Sequence, residues 1–183
     1  MRRHLAYAAA GAAVLALAGC GDDPEPQVAD PTATPSSSSS PSESAAAEKE
    51  PWEKESEEGV IAFAEQWISW FDQSKQTGDT EALAAASSSE CTTCQNYIAL
   101  TKDIYSDGGF IESKGWRVLS VSTPADDASP TTRVSMRIAQ SPQRLKRSAD
   151  AKTEQFAGGE STYTAQVRWV EDGWTMMSLD IVE

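Results

Sequence analysis

Two cysteines three positions apart, Cys91 and Cys94, have the clearest capacity for chemistry in this sequence. They stand at the start of a predicted helix, where the helix dipole lowers the pKa of a thiol and makes its thiolate reactive. One interpretation is therefore a thiol–disulfide oxidoreductase. The motif, however, lacks the preceding strand of a βαβ unit, and Cys94 lies on an apolar helix face. A structural disulfide that pins the start of the helix is the favoured interpretation.

Acidic residues are the second group with catalytic potential. An aspartate in an apolar cavity has a raised pKa and can shuttle a proton, as an isomerase or dehydratase requires. The candidates for such an acid or base are Asp72, Asp103 and Asp180, with Tyr97, Tyr105 and Tyr163 as hydrogen-bond donors. No paired acidic motif supports them, so surface carboxylates at helix ends and strand edges are favoured, and no catalytic residue is assigned.

The one histidine, His4, lies in an N-terminal segment that is removed if it is a signal peptide. The mature chain then has no Ser-His or Cys-His nucleophile and no His-containing zinc site. We therefore predict no metal site and no cofactor.

Aromatic residues are the candidates for a binding pocket. The predicted lining residues are Trp67, Phe71, Tyr97, Tyr105, Trp116 and Tyr163. A second aromatic set has the chemistry to bind an apolar ligand or a sugar, and it consists of Trp67, Trp70, Phe71, Trp116, Tyr163, Trp169 and Trp174. The alternative is that these side chains form the core between helix and sheet, and this alternative is favoured.

Charge limits the choice of partner. Residues 52–183 contain 12 basic and 21 acidic residues, a net charge of −9. A field of that sign repels phosphate backbones, which argues against nucleic acid. The basic cluster Arg144, Lys146, Arg147 and Lys152 could contact an anionic polymer or a protein, although a solvated hairpin tip explains it better.

The N-terminus predicts a location. Arg2 and Arg3 precede an uncharged apolar segment from Leu5 to Ala18, which is too short to span a bilayer and is typical of a signal peptide. The sequence Leu17-Ala18-Gly19-Cys20 follows the bacterial lipobox pattern and resembles that of prolipoproteins. The resemblance implies that Cys20 receives a diacylglyceryl group, and two acyl chains give a stable anchor. Cys91 and Cys94 then remain as an even pair in an oxidising compartment.

The composition changes twice along the chain and predicts three parts. Residues 1–19 are the signal peptide, and residues 20–51 are the lipidated cysteine followed by a Ser-, Pro- and Glu-rich linker. This linker has too few large apolar residues to fold, so we expect it to be disordered. Residues 52–183 form one globular domain, which is long enough for a real core.

Periodicity predicts an α+β domain with three helices before an antiparallel sheet. An apolar stripe that includes Val60, Phe63 and Trp67 indicates a first helix up to Gly78, followed by a short helix 81–86 and a third helix 92–105. Four strands are expected at 116–122, 133–140, 162–170 and 174–182, with a short additional strand at 110–112. Asp172-Gly173 predicts a tight hairpin between the last two strands.

This order of elements resembles the nuclear transport factor 2-like, or cystatin-like, fold, in which a curved sheet wraps a long helix. A more specific resemblance is to actinobacterial lipoproteins of an uncharacterised family, domain of unknown function 6318. The residues that carry it are the lipobox, the Ser/Pro linker, Gly59-Val60-Ile61-Ala62-Phe63, Thr77-Gly78-Asp79, Cys91-Thr92-Thr93-Cys94 and Gly108-Gly109. The resemblance implies a location and a fold, and it implies no activity.

The sequence therefore predicts a lipid-anchored lipoprotein on the outer face of the cell membrane. We expect a non-catalytic binding or accessory module, with an envelope protein or a small ligand as its partner and no nucleic acid. The alternatives are an isomerase or dehydratase that uses a cone-shaped pocket, and an envelope oxidoreductase that uses Cys91 and Cys94.

Overall fold

In the described part of this α+β domain, three α-helices precede seven strands. The computed structural model describes residues 49–124 and 131–182, which belong to one compact unit. A three-residue 3₁₀ helix, Pro51–Glu53, opens the described chain. The α-helices are α1 (Glu57–Thr77), α2 (Glu81–Ala85) and α3 (Thr92–Ser106).

Local signals set the ends of α1. The Ser56 side chain accepts a hydrogen bond from the Gly59 backbone N–H, which satisfies one of the free donors of the first turn. At the other end, Gly78 has a φ of 79°, the left-handed conformation that glycine adopts without strain. The Gly78 N–H donates to the Ser74 carbonyl at 2.8 Å. The expected stop of the first helix at Gly78 is confirmed.

The strands form two antiparallel sheets. They are β1 (Phe110–Ser113), β2 (Trp116–Ser122), β3 (Thr132–Gln140), β4 (Gln143–Lys146), β5 (Glu154–Phe156), β6 (Gly159–Val170) and β7 (Gly173–Val182). The main sheet has the order β2-β3-β6-β7, and the small sheet has the order β1-β4-β5. The four long strands were expected from the sequence, whereas β4 and β5 were not. Their sequences are short and polar, so they lack the alternation that marks a strand.

The β6–β7 hairpin differs by one residue from its prediction. The two turn residues are Glu171 and Asp172, with φ values of 47° and 67°, and Gly173 already pairs with Val170. Positive φ at both central positions is the conformation of a type I′ turn, whose twist matches that of the flanking strands. Asp172 adopts it more readily than most residues, and Gly173 becomes the first residue of β7.

The core lies between α1 and the main sheet. α1 packs against β1, β2 and β3, and α3 packs against β1 and β7. The buried residues of α1 follow the predicted stripe, with Trp67 and Phe71 stacked at 5.9 Å between ring centroids. From the sheet, Val134, Met136 and Ile138 of β3 point into this core, while the alternating Arg133 and Arg137 side chains are exposed. A second, smaller cluster of Ile104, Ile111 and Leu145 joins α3 to the small sheet. The predicted α+β class is confirmed.

Candidate functional site

A cavity of about 220 Å³ opens where α1, α3 and the two sheets meet. We call it the Trp116 cavity. Its lining residues are Phe71, Lys75, Tyr97, Leu100, Thr101, Ile111, Trp116, Gln140, Ser141, Gln143, Phe156 and Ala157. Its walls combine aromatic and aliphatic surface with hydroxyl and amide groups, which is the composition of a small-molecule site.

Aromatic rings form one wall of the Trp116 cavity. The Phe71 ring lies 4.7 Å from the centroids of both Tyr97 and Trp116, and Trp116 lies 5.3 Å from Tyr163. Contacts of this kind restrict each ring through its neighbours. The wall is therefore preformed, because no ring can turn without disturbing another.

Lys75 is the buried cation of this wall. The residue is 5% exposed, and its Nζ lies 2.7 Å from Asp72 Oδ1. Nζ also lies over the rings of Phe71 and Trp116, at 4.3 and 4.8 Å from their centroids, which is the geometry of a cation–π contact. Apart from each other, Nζ and Oδ1 have no hydrogen-bond partner among the described residues. Burial lowers the pKa of Lys75, and the charge and hydrogen bond of Asp72 oppose part of that effect.

Asp72 joins helix α1 to the edge of the main sheet. Its Oδ2 accepts a hydrogen bond of 2.6 Å from the Trp116 backbone N–H, while Oδ1 faces Lys75. Both oxygens are thus committed to structural contacts. The other two candidate carboxylates, Asp103 and Asp180, are exposed and do not line the Trp116 cavity.

Two tyrosine hydroxyls near the cavity stay protonated. Burial raises the pKa of Tyr97. Burial, together with the negative charge that Tyr97 carries once it ionises in alkali, raises the pKa of Tyr163 to about 12, and a hydrogen bond from Gln140 opposes the rise. The Gln140 amide nitrogen donates to the Tyr163 hydroxyl at 2.6 Å. At neutral pH these groups are uncharged donors and acceptors.

Three of the six predicted lining residues border the Trp116 cavity, namely Phe71, Tyr97 and Trp116. The other three serve the core or a helix end. Trp67 is fully buried and donates from Nε1 to Ser87 Oγ at 2.9 Å. Tyr163 is 2% exposed beneath Trp116, and the Tyr105 hydroxyl donates to the Lys75 carbonyl at 2.6 Å. Sequence periodicity identifies buried aromatics, but it does not tell which of them border empty space.

Lys75 and Thr101 are cavity residues that the sequence analysis missed. A signal for Lys75 was present, because it follows Phe71 by four positions and so shares the apolar face of α1. Thr101 likewise lies on the buried side of α3, three residues after Ile98. The rim residues Gln140, Gln143 and Phe156 come from distant strands, and no local pattern marks them.

Cys91 and Cys94 form a disulfide at the start of α3, with an S–S distance of 2.02 Å. Both cysteines are buried, at 1% and 0% exposure. Cys91 is also the N-cap residue of α3, and its Sγ accepts from the Cys94 backbone N–H at 3.3 Å. An external thiolate has no route to either sulfur in this conformation. The geometry therefore favours the structural role over the redox role.

The basic cluster is divided between ion pairs and solvent. Arg144 of β4 pairs with Glu112, and Arg147 pairs with Glu154 at 2.9 Å, both on the surface. Lys152 is exposed. Within the described ranges, no three His, Cys, Asp or Glu side chains come together as metal ligands.

The predicted lipidation site lies outside the described residues, as do the signal peptide 1–19 and the linker as far as residue 48. Among residues 49–124 and 131–182, no helix is both long and apolar enough to cross a bilayer.

Several solved structures share the fold. The intermembrane space region of the chloroplast protein ARC6 is similar with a TM-score of 0.52 and 10% identity, over 70% of this chain and 98% of that one. An uncharacterised protein with a cystatin-like fold from Caulobacter vibrioides has a TM-score of 0.41 and 13% identity, over 67% of this chain and 89% of that one. An NTF2-like protein with a cystatin-like fold from Novosphingobium aromaticivorans has a TM-score of 0.40 and 12% identity, over 66% and 79%. At such identities the likeness concerns the fold alone.

No curated protein matches the sequence. One family model does match it, over residues 32–180, and its description is "Family of unknown function (DUF6318)". The match includes the whole of the Trp116 cavity and the Cys91–Cys94 disulfide. The chain therefore belongs to the DUF6318 family, as its motifs predicted.

Proposed function

We propose that this chain is a lipid-anchored lipoprotein of the cell envelope whose α+β domain binds a small ligand in the Trp116 cavity without transforming it. The ligand has an apolar or aromatic body and one hydrogen-bonding group, such as a carbonyl. The body would contact the ring wall, and the polar group would meet the hydroxyls and amides of the rim.

The observation that carries the binding role is the exposure of two large apolar side chains at the cavity rim. Leu100 and Phe156 are 41% and 45% exposed, and both line the Trp116 cavity. When a ligand covers exposed apolar surface beside a preformed pocket, the removal of that surface from water stabilises the complex. These two residues contribute little to the core, so a binding role accounts for them better than a structural one.

The non-catalytic part of the proposal rests on the chemistry of the lining. Among the residues that border the cavity, only Lys75 and Tyr97 are ionisable. Lys75 Nζ is covered by the rings and paired with Asp72, and Tyr97 remains protonated at neutral pH. This lining provides no carboxylate for the isomerase or dehydratase alternative. The oxidoreductase alternative depends on Cys91 and Cys94, which lie outside the cavity, buried in a disulfide.

The anchoring part rests on the sequence alone. The short apolar segment, the small residues before Cys20 and the polar linker together have the order of a bacterial lipoprotein precursor. Mass spectrometry of the protein extracted from its own cells tests it. We expect an N-terminal peptide that begins at Cys20 and carries a diacylglyceryl group, and a Cys20→Ser variant that leaves the membrane fraction. An unmodified Cys20 in a soluble wild-type protein would contradict the proposal.

The binding part is tested by truncation of the rim. We expect the double variant L100A/F156A to bind an apolar fluorescent dye at least about fivefold more weakly than the parent chain, since burial of a large apolar side chain stabilises a complex. The matched control is V170A/I181A, which removes exposed apolar residues outside the cavity. Equal loss in both double variants would show that the dye binds apolar surface in general, and the cavity would then have no special role.

A further inference from the structure

A second concave site is enclosed by the 3₁₀ helix, α1, α2 and the β6–β7 turn. This cleft has a volume of about 360 Å³ and three tryptophans in its walls, so we call it the tryptophan cleft. Its lining residues are Trp52, Glu53, Phe63, Trp70, Ala82, Ala85, Ala86, Asp172, Gly173 and Trp174. None of them borders the Trp116 cavity.

Three separate elements supply the indole rings. Trp52 comes from the 3₁₀ helix, Trp70 from α1 and Trp174 from the start of β7. Each ring is half-buried and packs against the core, so each is anchored and still presents surface to the cleft. Alanines of α2 supply the remaining wall, and their small side chains leave the space between the rings open.

Local contacts fix two of these rings. Trp174 donates from Nε1 to the Lys54 carbonyl at 3.0 Å and makes an edge-to-face contact with Trp169 at 5.0 Å. Trp70 makes an edge-to-face contact with Phe63 at 6.4 Å. The indole N–H of Trp174 is therefore already satisfied by the protein. What this ring offers a ligand is its π surface.

The charge of the cleft is negative. Two carboxylates, Glu53 and Asp172, belong to the lining, and no lysine or arginine side chain does. Glu53 uses one oxygen to accept from the Glu50 backbone N–H at 2.9 Å, which holds its carboxylate in place. Asp172 is held by the type I′ turn of the β6–β7 hairpin.

Aromatic faces beside carboxylates suit an organic cation. The negative face of an indole ring attracts a cation, and several rings around one cation form the aromatic cage that binds quaternary ammonium groups. A sugar would also stack on indole rings and donate hydroxyl hydrogen bonds to the carboxylates, but only a cation is attracted in addition by their net charge. The net negative charge of residues 52–183 also favours a cation over a neutral ligand.

We infer that the tryptophan cleft binds a small soluble molecule with a quaternary ammonium group. The cation lies among Trp52, Trp70 and Trp174, and Glu53 and Asp172 balance its charge. This site is distinct from the Trp116 cavity and does not depend on the ligand proposed there.

Titration of the full chain, in an uncharged polyoxyethylene detergent without a sugar headgroup and at constant ionic strength, tests the inference. The probe is choline, the readout is tryptophan fluorescence, and the reference compound is 3,3-dimethyl-1-butanol, which has the same shape without the charge. We expect choline to bind at least about fivefold more tightly than its neutral analogue, in keeping with the strength of cation–π contacts.

Two variants with the same change in charge locate the site. D172N removes the carboxylate that lines the cleft, and asparagine tolerates the positive φ of this position. E171Q removes the neighbouring turn carboxylate, which does not line the cleft. We expect D172N to weaken choline binding about threefold and E171Q to leave it unchanged.

Four results would overturn the inference. They are equal binding of choline and its neutral analogue, binding of N-acetylglucosamine but not choline, binding of glycerophosphocholine but not free choline, and no response to any probe. The second would identify a carbohydrate site, and the third a lipid headgroup site.

Discussion

At the scale of single residues, the Asp72–Lys75 pair carries the most consequence. Lys75 has left water for a position between two aromatic rings, and Asp72 is the only charged group within ion-pairing distance of it among the described residues. Removal of one member of a buried pair leaves the other charge without compensation. We therefore expect the loss of the Asp72 charge to lower the stability of the fold more than the loss of an exposed carboxylate would.

We expect D72N to lower the free energy of unfolding by about 3 kcal/mol at pH 7. Asparagine retains an oxygen that can accept from the Trp116 N–H, so the main effect is the loss of the negative charge. The loss should shrink as the pH rises towards 10.5, because Lys75 then sheds its proton and no longer needs a counter-charge. Urea denaturation at pH 7 and pH 10 measures both values.

The control for this prediction is D103N, which neutralises an exposed carboxylate. It should change stability by less than about 0.5 kcal/mol at either pH. An equal effect of D72N at both pH values would contradict the assignment of the loss to Lys75.

The raised pKa of Tyr163 makes the stability of the fold depend on pH in the alkaline range. Its pKa is about 12 in the folded protein, against an ordinary value of 10.0. Between these values the folded chain keeps a proton that the unfolded chain has released, so stability falls as pH rises. The stability advantage of the wild type over Y163F should therefore decrease above pH 10, by up to about 1.4 kcal/mol per pH unit. Chemical denaturation at pH 9, 10 and 11 checks it.

Comparison with Y163F isolates this effect from that of Lys75. The lowered pKa of Lys75 makes stability rise with pH below 10.5, but this contribution is present in both proteins. A difference between wild type and Y163F that is constant from pH 9 to 11 would refute the prediction.

At the scale of elements, the C-terminal end of α1 is capped by a side chain of α3. Gly78 adopts its left-handed conformation directly against the Tyr105 ring of α3, and the Tyr105 hydroxyl satisfies the Lys75 carbonyl in the last turn. A single tyrosine thus caps one helix while it belongs to another. This contact fixes the relative position of α1 and α3, which are two walls of the Trp116 cavity.

We expect G78A to destabilise the protein by at least about 2 kcal/mol, because alanine is strained at a φ of 79°. In addition, its Cβ would lie 2.5 Å from Tyr105 Cγ. Thermal unfolding by circular dichroism measures the loss. The matched variant is G159A in β6, where a Cβ meets nothing within 4 Å, and it should be neutral or slightly stabilising. Similar losses in the two variants would contradict this view of Gly78.

The disulfide at the start of α3 also acts on the element scale. It closes a loop with a sequence separation of only 3, so loop-closure entropy contributes about 2 kcal/mol. The double variant C91A/C94A should lose at least this amount and should unfold at lower urea concentration. Alkylation of the native protein after mild treatment with millimolar dithiothreitol should label neither cysteine, because both sulfurs are buried. Ready labelling under these conditions would favour the redox alternative.

At the scale of the whole molecule, the sequence predicted the framework better than the sites. Helix periodicity and the glycine stops predicted α1, α2 and α3, and alternation predicted the four long strands of the main sheet. Both signals are local. In the small sheet, β1 was expected at 110–112, whereas β4 and β5 were missed. These two strands are stabilised by pairing with each other and with β1, and not by a pattern within Gln143–Lys146 or Glu154–Phe156.

Sites depend on residues that are far apart in sequence. Trp52, Trp70 and Trp174 line one cleft, although 122 positions separate the first from the last. The sequence shows that these residues are aromatic, and only the tertiary structure shows that they share a cleft. The same holds for Phe156, which reaches the Trp116 cavity from the far side of the small sheet.

Because the sulfur atoms of Cys91 and Cys94 are both buried at the start of α3, their oxidation state is fixed when the domain folds. Once the domain has folded around the two cysteines, reductants and oxidants in the surroundings do not reach the sulfur atoms. Free thiols in the purified protein would therefore indicate that the chain folded inside a reducing compartment. The absence of free thiols would indicate that it folded after leaving that compartment.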